Sequence, residues 1–341
     1  MTESNLSTHS LPLLLSLDLG MGAIKLSSNR GNYQILSQIA VAGGQGTGKM
    51  IGLLSAKPPL RIDIASAGSF YVDGGSHDAG RPIENMSMDR FQGSPEMRCL
   101  LYGILTRLIL QSGPIESPLS LILGLPLQAI VRDDSTNVVE AVQKWMRGRH
   151  TWTADDQPYS VEIREIRATS QPAGALFDYI LDDQGRMIPE RRSALTSETG
   201  VISIGMNTVE ILVVREKTVV DRFTAGSTSG VRRLLDLLNP QKMYSTGELD
   251  LQLRAGHLDI SAALPVWERE VMGEIEKVWG STWRRFHTIL LVGGGAHLLR
   301  GSLPYRFKGK AVLPEDPVFS IVRGLWKLAL YQQQRRPAAQ P

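Results

Sequence analysis

Two stretches far apart in the chain, Leu15 to Leu26 (LSLDLGMGAIKL) and Ile202 to Leu212 (ISIGMNTVEIL), share one pattern: an apolar strand, a Gly-Met turn and a second apolar strand. An internal repeat of this kind constrains the chain to fold as two related halves. A tight hairpin aims consecutive backbone N–H groups into its own turn, and Gly lets the backbone approach an anion with no side chain between them. A third Gly-rich turn follows at Val292 to Leu299 (VGGGAHLL). Two related turns and a third together point to a nucleotide held in a cleft between two domains.

At 341 residues the chain is long enough for two domains that each bury a core, and its 42% hydrophobic content is that of an ordinary globular protein. The net charge of +3 is small, and no Lys/Arg run is interleaved with aromatics, so there is no direct nucleic-acid motif. The single cysteine, Cys99, lies in an apolar helical stretch and reads as a buried thiol in a reducing cytoplasm. The run Leu11 to Leu17 is too short to span a bilayer, and Asp18 follows it, so it reads as a buried strand and not as a membrane-spanning segment. No His/Cys/Asp cluster has zinc-ligand spacing.

Leu11 to Leu26 and Tyr33 to Ala42 read as successive strands. Gly43 to Gly93, rich in Gly, Pro and Asp, reads as a loop-dominated smaller subdomain. Glu96 to Leu110 has the spacing of a long helix with a wide apolar face, and Leu119 to Leu127 that of a buried strand. A helix over Asn137 to Arg147, a strand over Tyr159 to Ala168 and a helix started by Pro172 follow. After the second hairpin come helices over Gly230 to Leu238 and Val266 to Phe286, then a strand into the triple glycine, then a closing helix over Asp316 to Leu330. Hairpins followed by alternating helices and strands indicate α/β layers.

Several segments, taken in order, resemble the actin-like ATPases, most closely the bacterial and archaeal ParM/StbA-type branch: DLGMGAIKL, ILGLPL, QPAGALFDYIL, ISIGMNTVEILVV, TAGSTSGV, ILLVGGGAHLL and PEDPVFSIVRGL. The resemblance implies an α/β actin-like fold of two duplicated ribonuclease-H-like domains, each with a smaller inserted subdomain and with the nucleotide cleft between them. Domain I would comprise 11–195 plus 318–331, with its small subdomain at about 31–95. Domain II would comprise 196–317, with its small subdomain at about 236–284. Residues 1–10 and 332–341 are expected to be flexible tails. Carried over residue by residue, the resemblance implies Asp18 beside a hydrated Mg²⁺, with Gly20, Met21 and Gly22 on the phosphates and Lys25 close by. Gly205, Met206, Asn207 and Thr208 would meet the phosphates from the other side. Gly293, Gly294, Gly295 and Ala296 would lie under the adenosine and α-phosphate, and Gly226 and Gly230 would help form the base and ribose pocket. The implied ligand is ATP, or GTP, with Mg²⁺. The implied partners are further copies of the chain in a filament and a DNA-bound adaptor, as in plasmid segregation.

Two departures from the family pattern point to slow hydrolysis. The position usually held by the second metal-associated Asp is Ser203, whose hydroxyl can bond a metal-bound water but adds no charge, and a later Thr-Asp pair reads Val209-Glu210. Ahead of the QPAG segment, where relatives carry the side chain that orients the attacking water, only Gln171 offers an amide and no carboxylate is present.

Gly43 to Met50 (GGQGTGKM) fits a P-loop except at its last position, where Met50 replaces the hydroxyl residue, and two prolines soon after leave little room for the required helix. A P-loop NTPase centred on Lys49 is therefore one rival reading. A small-molecule kinase and a non-polymerising ATP-binding module on the same fold are the others.

Overall fold

The repeat seen in the sequence reappears as repeated strand pairing. In the computed structural model, which describes residues 12–43, 58–84, 87–131 and 135–335, the first hairpin is β1 (Leu13–Leu19) and β2 (Ala23–Ser28), continued by β3 (Gly31–Leu36). Further along the first half lie β4 (Ile39–Val41), β5 (Leu60–Ile64), β6 (Gly68–Val72), β7 (Arg81–Pro82), β8 (Leu119–Leu125), β9 (Gly148–Ala154) and β10 (Gln157–Ser170). They form a ten-stranded sheet in the order β3-β2-β1-β8-β10-β9-β5-β6-β4-β7. β1 pairs antiparallel with β2 and parallel with β8, which pairs parallel with β10.

The second half repeats that order. Its strands are β11 (Thr199–Ile204), β12 (Val209–Arg215), β13 (Thr218–Val219), β14 (Ala225–Ser227), β15 (Thr288–Val292) and β16 (Ala311–Val312), arranged β13-β12-β11-β15-β16 with β14 beside β12. β11 pairs antiparallel with β12 and parallel with β15, which pairs parallel with β16. In register, Asp18 faces Lys25 across the first hairpin and Ser203 faces Glu210 across the second. The two hairpins are thus the same structural unit with different chemistry.

Parallel central strands need cover on both faces, so they read as continuous apolar runs; all seven residues of β8 are buried. One face is covered by the long helix Pro95–Ser112, which starts at the Ser94 cap with Pro95 in its first turn and buries Leu100, Leu101, Ile104, Leu105 and Leu108. Cys99 is buried in this helix, and burial pushes its thiol pKa up, so it is inert. On the other side, the helix Gln171–Ile180 and the closing helix Ser320–Gln334 share one core with residues of both sheets, among them Ile122, Leu176, Val201, Leu212, Leu290 and Leu325. This shared layer joins the halves. A separate core under β11, β12 and β15 buries Trp267 and Trp279.

The structure corrects several sequence expectations. The segment taken as loop-dominated contains β5 and β6, short alternating strands in which Ile62, Ile64, Phe70 and Val72 are buried. β9 was not expected either, although His150, Trp152 and Ala154 alternate inward. The helix Thr246–Arg254, also unforeseen, begins at a capping box between Ser245 and Glu248. The closing helix does not end before residue 332: it runs through Gln334, whose amide donates to the Gln184 carbonyl. Residues 1–10, 336–341 and 44–57, the last including most of the P-loop-like motif, lie outside the described residues. Among the described residues no helix is long and apolar enough to cross a membrane.

Candidate functional site

The two hairpin tips meet across a cavity of about 580 Å³. Asp18, Gly20, Met21, Gly22, Lys25 and Gln171 line it from the first half, and Ser203, Gly205, Met206, Asn207, Thr208, Gly293 and Gly294 from the second. The tips approach closely, since a Cβ on Gly22 would lie 2.6 Å from the Met206 Cβ.

Each turn is held from behind through its carbonyls. Ser37 donates from its hydroxyl to the Gly20 carbonyl (2.7 Å) and from its N–H to that of Gly22 (3.1 Å). In the second turn the carbonyls of Gly205, Met206 and Asn207 accept from the N–H groups of Val231, Arg232 and Gly230 at the start of the helix Val231–Leu238. The negative ends of these peptide dipoles are thereby occupied within each half, an arrangement compatible with an anion at the turns. Only Gly fits at position 20, where a Cβ would lie 2.5 Å from the Ala23 carbonyl oxygen.

Asp18 is buried at the floor of the cleft. Its Oδ2 accepts from Lys25 Nζ at 2.9 Å and its Oδ1 from Gln171 Nε2 at 2.7 Å. Gln171 therefore does not only begin its helix: its side chain is committed to the carboxylate. Opposite, the Ser203 hydroxyl supplies no charge. Its cross-strand neighbour Glu210 is fully buried, accepts from the Leu127 N–H through Oε1 at 2.9 Å and leaves Oε2 without a hydrogen-bond partner.

Burial is the main cause pushing the Glu210 carboxyl from 4.5 up to about 8; the Leu127 N–H works against it and the Asp18 charge adds to it. An unfolded chain ionises the same group near its ordinary value. Between the two values the folded chain holds a proton that the unfolded chain has released. Stability should therefore fall as pH rises from about 4.5 to about 8 and level off above that. Glu210→Gln should remove this dependence. Urea titrations at about pH 5 and about pH 9 should show a loss with rising pH larger in wild type than in the variant by on the order of 4 kcal/mol; equal losses would contradict the assignment.

Among the described residues no group of three or more His, Cys, Asp or Glu side chains is placed to hold a metal ion. The oxygen donors of the hairpin strands nearest the turns, the Asp18 carboxylate and the Ser203 hydroxyl, fit a Mg²⁺ that keeps most of its waters and takes further oxygens from phosphate, and do not make an all-protein cage.

Four predicted site residues do not line the cavity. Gly230 supports the second turn, with a Cβ there lying 2.6 Å from the Met206 oxygen, and Gly226 pairs with Glu210 in the sheet. Gly295 and Ala296 are buried behind β11, where a Cβ on Gly295 would meet Ile204 Cγ2 at 2.1 Å. There the turn packs closely on the strand. Conversely, Met88, Val231, Asp250, Leu253, Arg254, His297 and Leu298 line the cavity unforeseen. The Ser245 to Glu248 capping box was the available signal for the helix carrying Asp250 and Arg254, which form an ion pair at 2.9 Å.

Residues 16–174 match the family model of the actin-like protein N-terminal domain. Solved structures align over nearly the whole chain. The chain has the actin-like fold. An apo ParM of pSK41 is 18% identical, with a TM-score of 0.69, covering 96% of this chain and 99% of its own. A ParM from a 15-stranded filament of Clostridium botulinum is 20% identical, with a TM-score of 0.71, covering 95% and 100%. An archaeal actin homologue in complex with ADP is 16% identical, with a TM-score of 0.68, covering 93% and 99%. No curated protein matches this actin-like chain by sequence.

Proposed function

We propose that this chain is an actin-like nucleotide-binding protein that assembles into filaments on binding ATP or GTP with Mg²⁺ and hydrolyses it slowly. The observation that carries the reading is the pair of Gly-rich hairpins facing each other across one cavity, with Asp18 at its floor. Asp18 and Ser203 would flank the hydrated Mg²⁺, whose charge would offset that of the phosphates. The similar archaeal homologue was solved with ADP, and the similar clostridial ParM as a filament. Filaments follow when contacts between identical subunits are head-to-tail and do not close into a ring. Moving plasmid DNA through a DNA-bound adaptor is the use this reading favours.

Slow hydrolysis follows from the site's chemistry. Phosphoryl transfer depends on positioning a water and stabilising charge. Here the amide nearest that task is bound to Asp18, and the second half offers a hydroxyl where a carboxylate would add charge. Light scattering and negative-stain microscopy with ATP, GTP and ADP test the reading. Filaments with a triphosphate and phosphate release much slower than assembly are expected. A chain that binds triphosphate and stays monomeric at high concentration would contradict it.

A further inference from the structure

Met21, in the turn of the first hairpin, is buried, and its side chain is held by a residue far away in the chain. Arg90 Nη1 donates to Met21 Sδ at 3.1 Å in a buried contact. Arg90 is itself only 4% exposed. With Met21, Gly22 and Met206 it lines a cavity of about 40 Å³, but it does not line the large one. Burying a guanidinium is costly and a thioether sulfur is a weak acceptor, so this bond alone does not offset the burial. Burial pulls the Arg90 pKa down to about 10, while the Glu96 carboxylate works the other way, so the side chain is a cation at neutral pH.

Arg90 stands on a stiff mount. It lies in the short helix Met88–Gln92, whose first turn is capped by the Ser87 hydroxyl. Phe91, the next residue, is fully buried, and its carbonyl accepts from Trp145 Nε1 at 2.8 Å. The Arg90 carbonyl accepts from the N–H groups of Gly93 and Ser94, both at 3.3 Å, just ahead of the long helix.

The Lys and Arg side chains in the wall of the large cavity are already paired, Lys25 with Asp18 and Arg254 with Asp250, both at 2.9 Å. We propose that Arg90 is a positioning residue for the first hairpin: its guanidinium fixes the Met21 side chain, and with it the turn, and sets a positive charge against the turn where phosphates would bind. The proposal rests on the reading of the large cavity as the nucleotide site. A charge held in a poorly hydrated interior is screened less than one at the surface. Its effect should therefore grow with the charge of the phosphate chain, whereas a lost packing contact would weaken every nucleotide alike.

Titration calorimetry of ATP and ADP, each with Mg²⁺, against wild type, Arg90→Met and Arg90→Lys tests it. Arg90→Met keeps an unbranched apolar stem and removes the charge. Its ATP affinity should fall on the order of tenfold and its ADP affinity by less, so that the preference for ATP shrinks. Arg90→Lys restores the charge and should recover part of the ATP affinity. Met21→Leu does not depend on the Arg90 variants folding: it removes the sulfur acceptor but leaves the guanidinium, and should weaken both nucleotides severalfold and alike. Wild type that binds neither nucleotide overturns the functional reading and this role with it. With wild type binding, equal losses of ATP and ADP in Arg90→Met, no recovery in Arg90→Lys, or wild-type affinity in Met21→Leu overturns the role of Arg90 alone.

Discussion

Gly324→Ala is expected to cost about 3 kcal/mol of stability or more. Gly324 lies where the closing helix crosses the helix Gln171–Ile180, and a Cβ there would stand 1.8 Å from the Gly174 carbonyl oxygen and 2.5 Å from the Asp178 N–H nitrogen. Both neighbours are backbone, so no side chain can rotate away. The reverse approach is just as close, with a Cβ on Gly174 lying 2.5 Å from the Ile321 oxygen. Relief would require the two helices to separate, and that would strip Asp178 of its bonds to Ser320 (2.7 Å), Arg323 (2.7 Å) and Lys327 (2.9 Å). The same helices form the layer between the sheets, so the damage reaches both halves. Gly273→Ala is the control. Gly273 lies inside the helix Leu264–Trp279 with no atom within 4 Å of an added Cβ, so Ala should stabilise by roughly 0.5–1 kcal/mol. Urea denaturation of both variants reads the difference. A Gly324→Ala protein as stable as wild type would mean that the helices do not cross so closely.

What was legible in the sequence follows from how each element is stabilised. The hairpins, β8 and the long helix were readable because burial on both faces, or on one wide face, writes a continuous or periodic apolar pattern into the residues themselves. β5 and β6 were missed because they are short and set among Gly, Pro and Asp, and β9 because polar Arg149, Thr151 and Thr153 alternate with the inward His150, Trp152 and Ala154 and leave no apolar run. The hairpin residues that line the cavity were legible because a turn built to face an anion would demand Gly at fixed offsets. The remainder of the cavity wall was not: Met88, Leu253 and Arg254 arrive from elements distant in the chain, and nothing local to them signals that they converge. Not every glycine of these motifs lines the cavity. Gly230 and Gly295 are small because backbone and Ile204 press on them, a demand that reads in sequence like a ligand's. Glu210 was visible as a departure, but its burial and its bond to Leu127 across the halves depend on tertiary structure alone.

On the proposed reading, Mg²⁺-nucleotide lies between the twin hairpins with Asp18 at its base. Asp18→Asn preserves the shape and an acceptor for Gln171 but removes the hairpin's own carboxylate from the cavity lining, leaving Lys25 without its counter-charge. A charge lost beside a hydrated divalent ion should lower affinity for the Mg²⁺-triphosphate on the order of 100-fold. Lys49 belongs to the rival P-loop reading, in which its ammonium would hold the phosphates. Titration calorimetry of Mg²⁺-ATP and Mg²⁺-GTP against wild type, Asp18→Asn and Lys49→Ala separates the two most directly. The predicted result is near-complete loss of binding in Asp18→Asn with Lys49→Ala within about twofold of wild type; loss in Lys49→Ala with Asp18→Asn unaffected would contradict it.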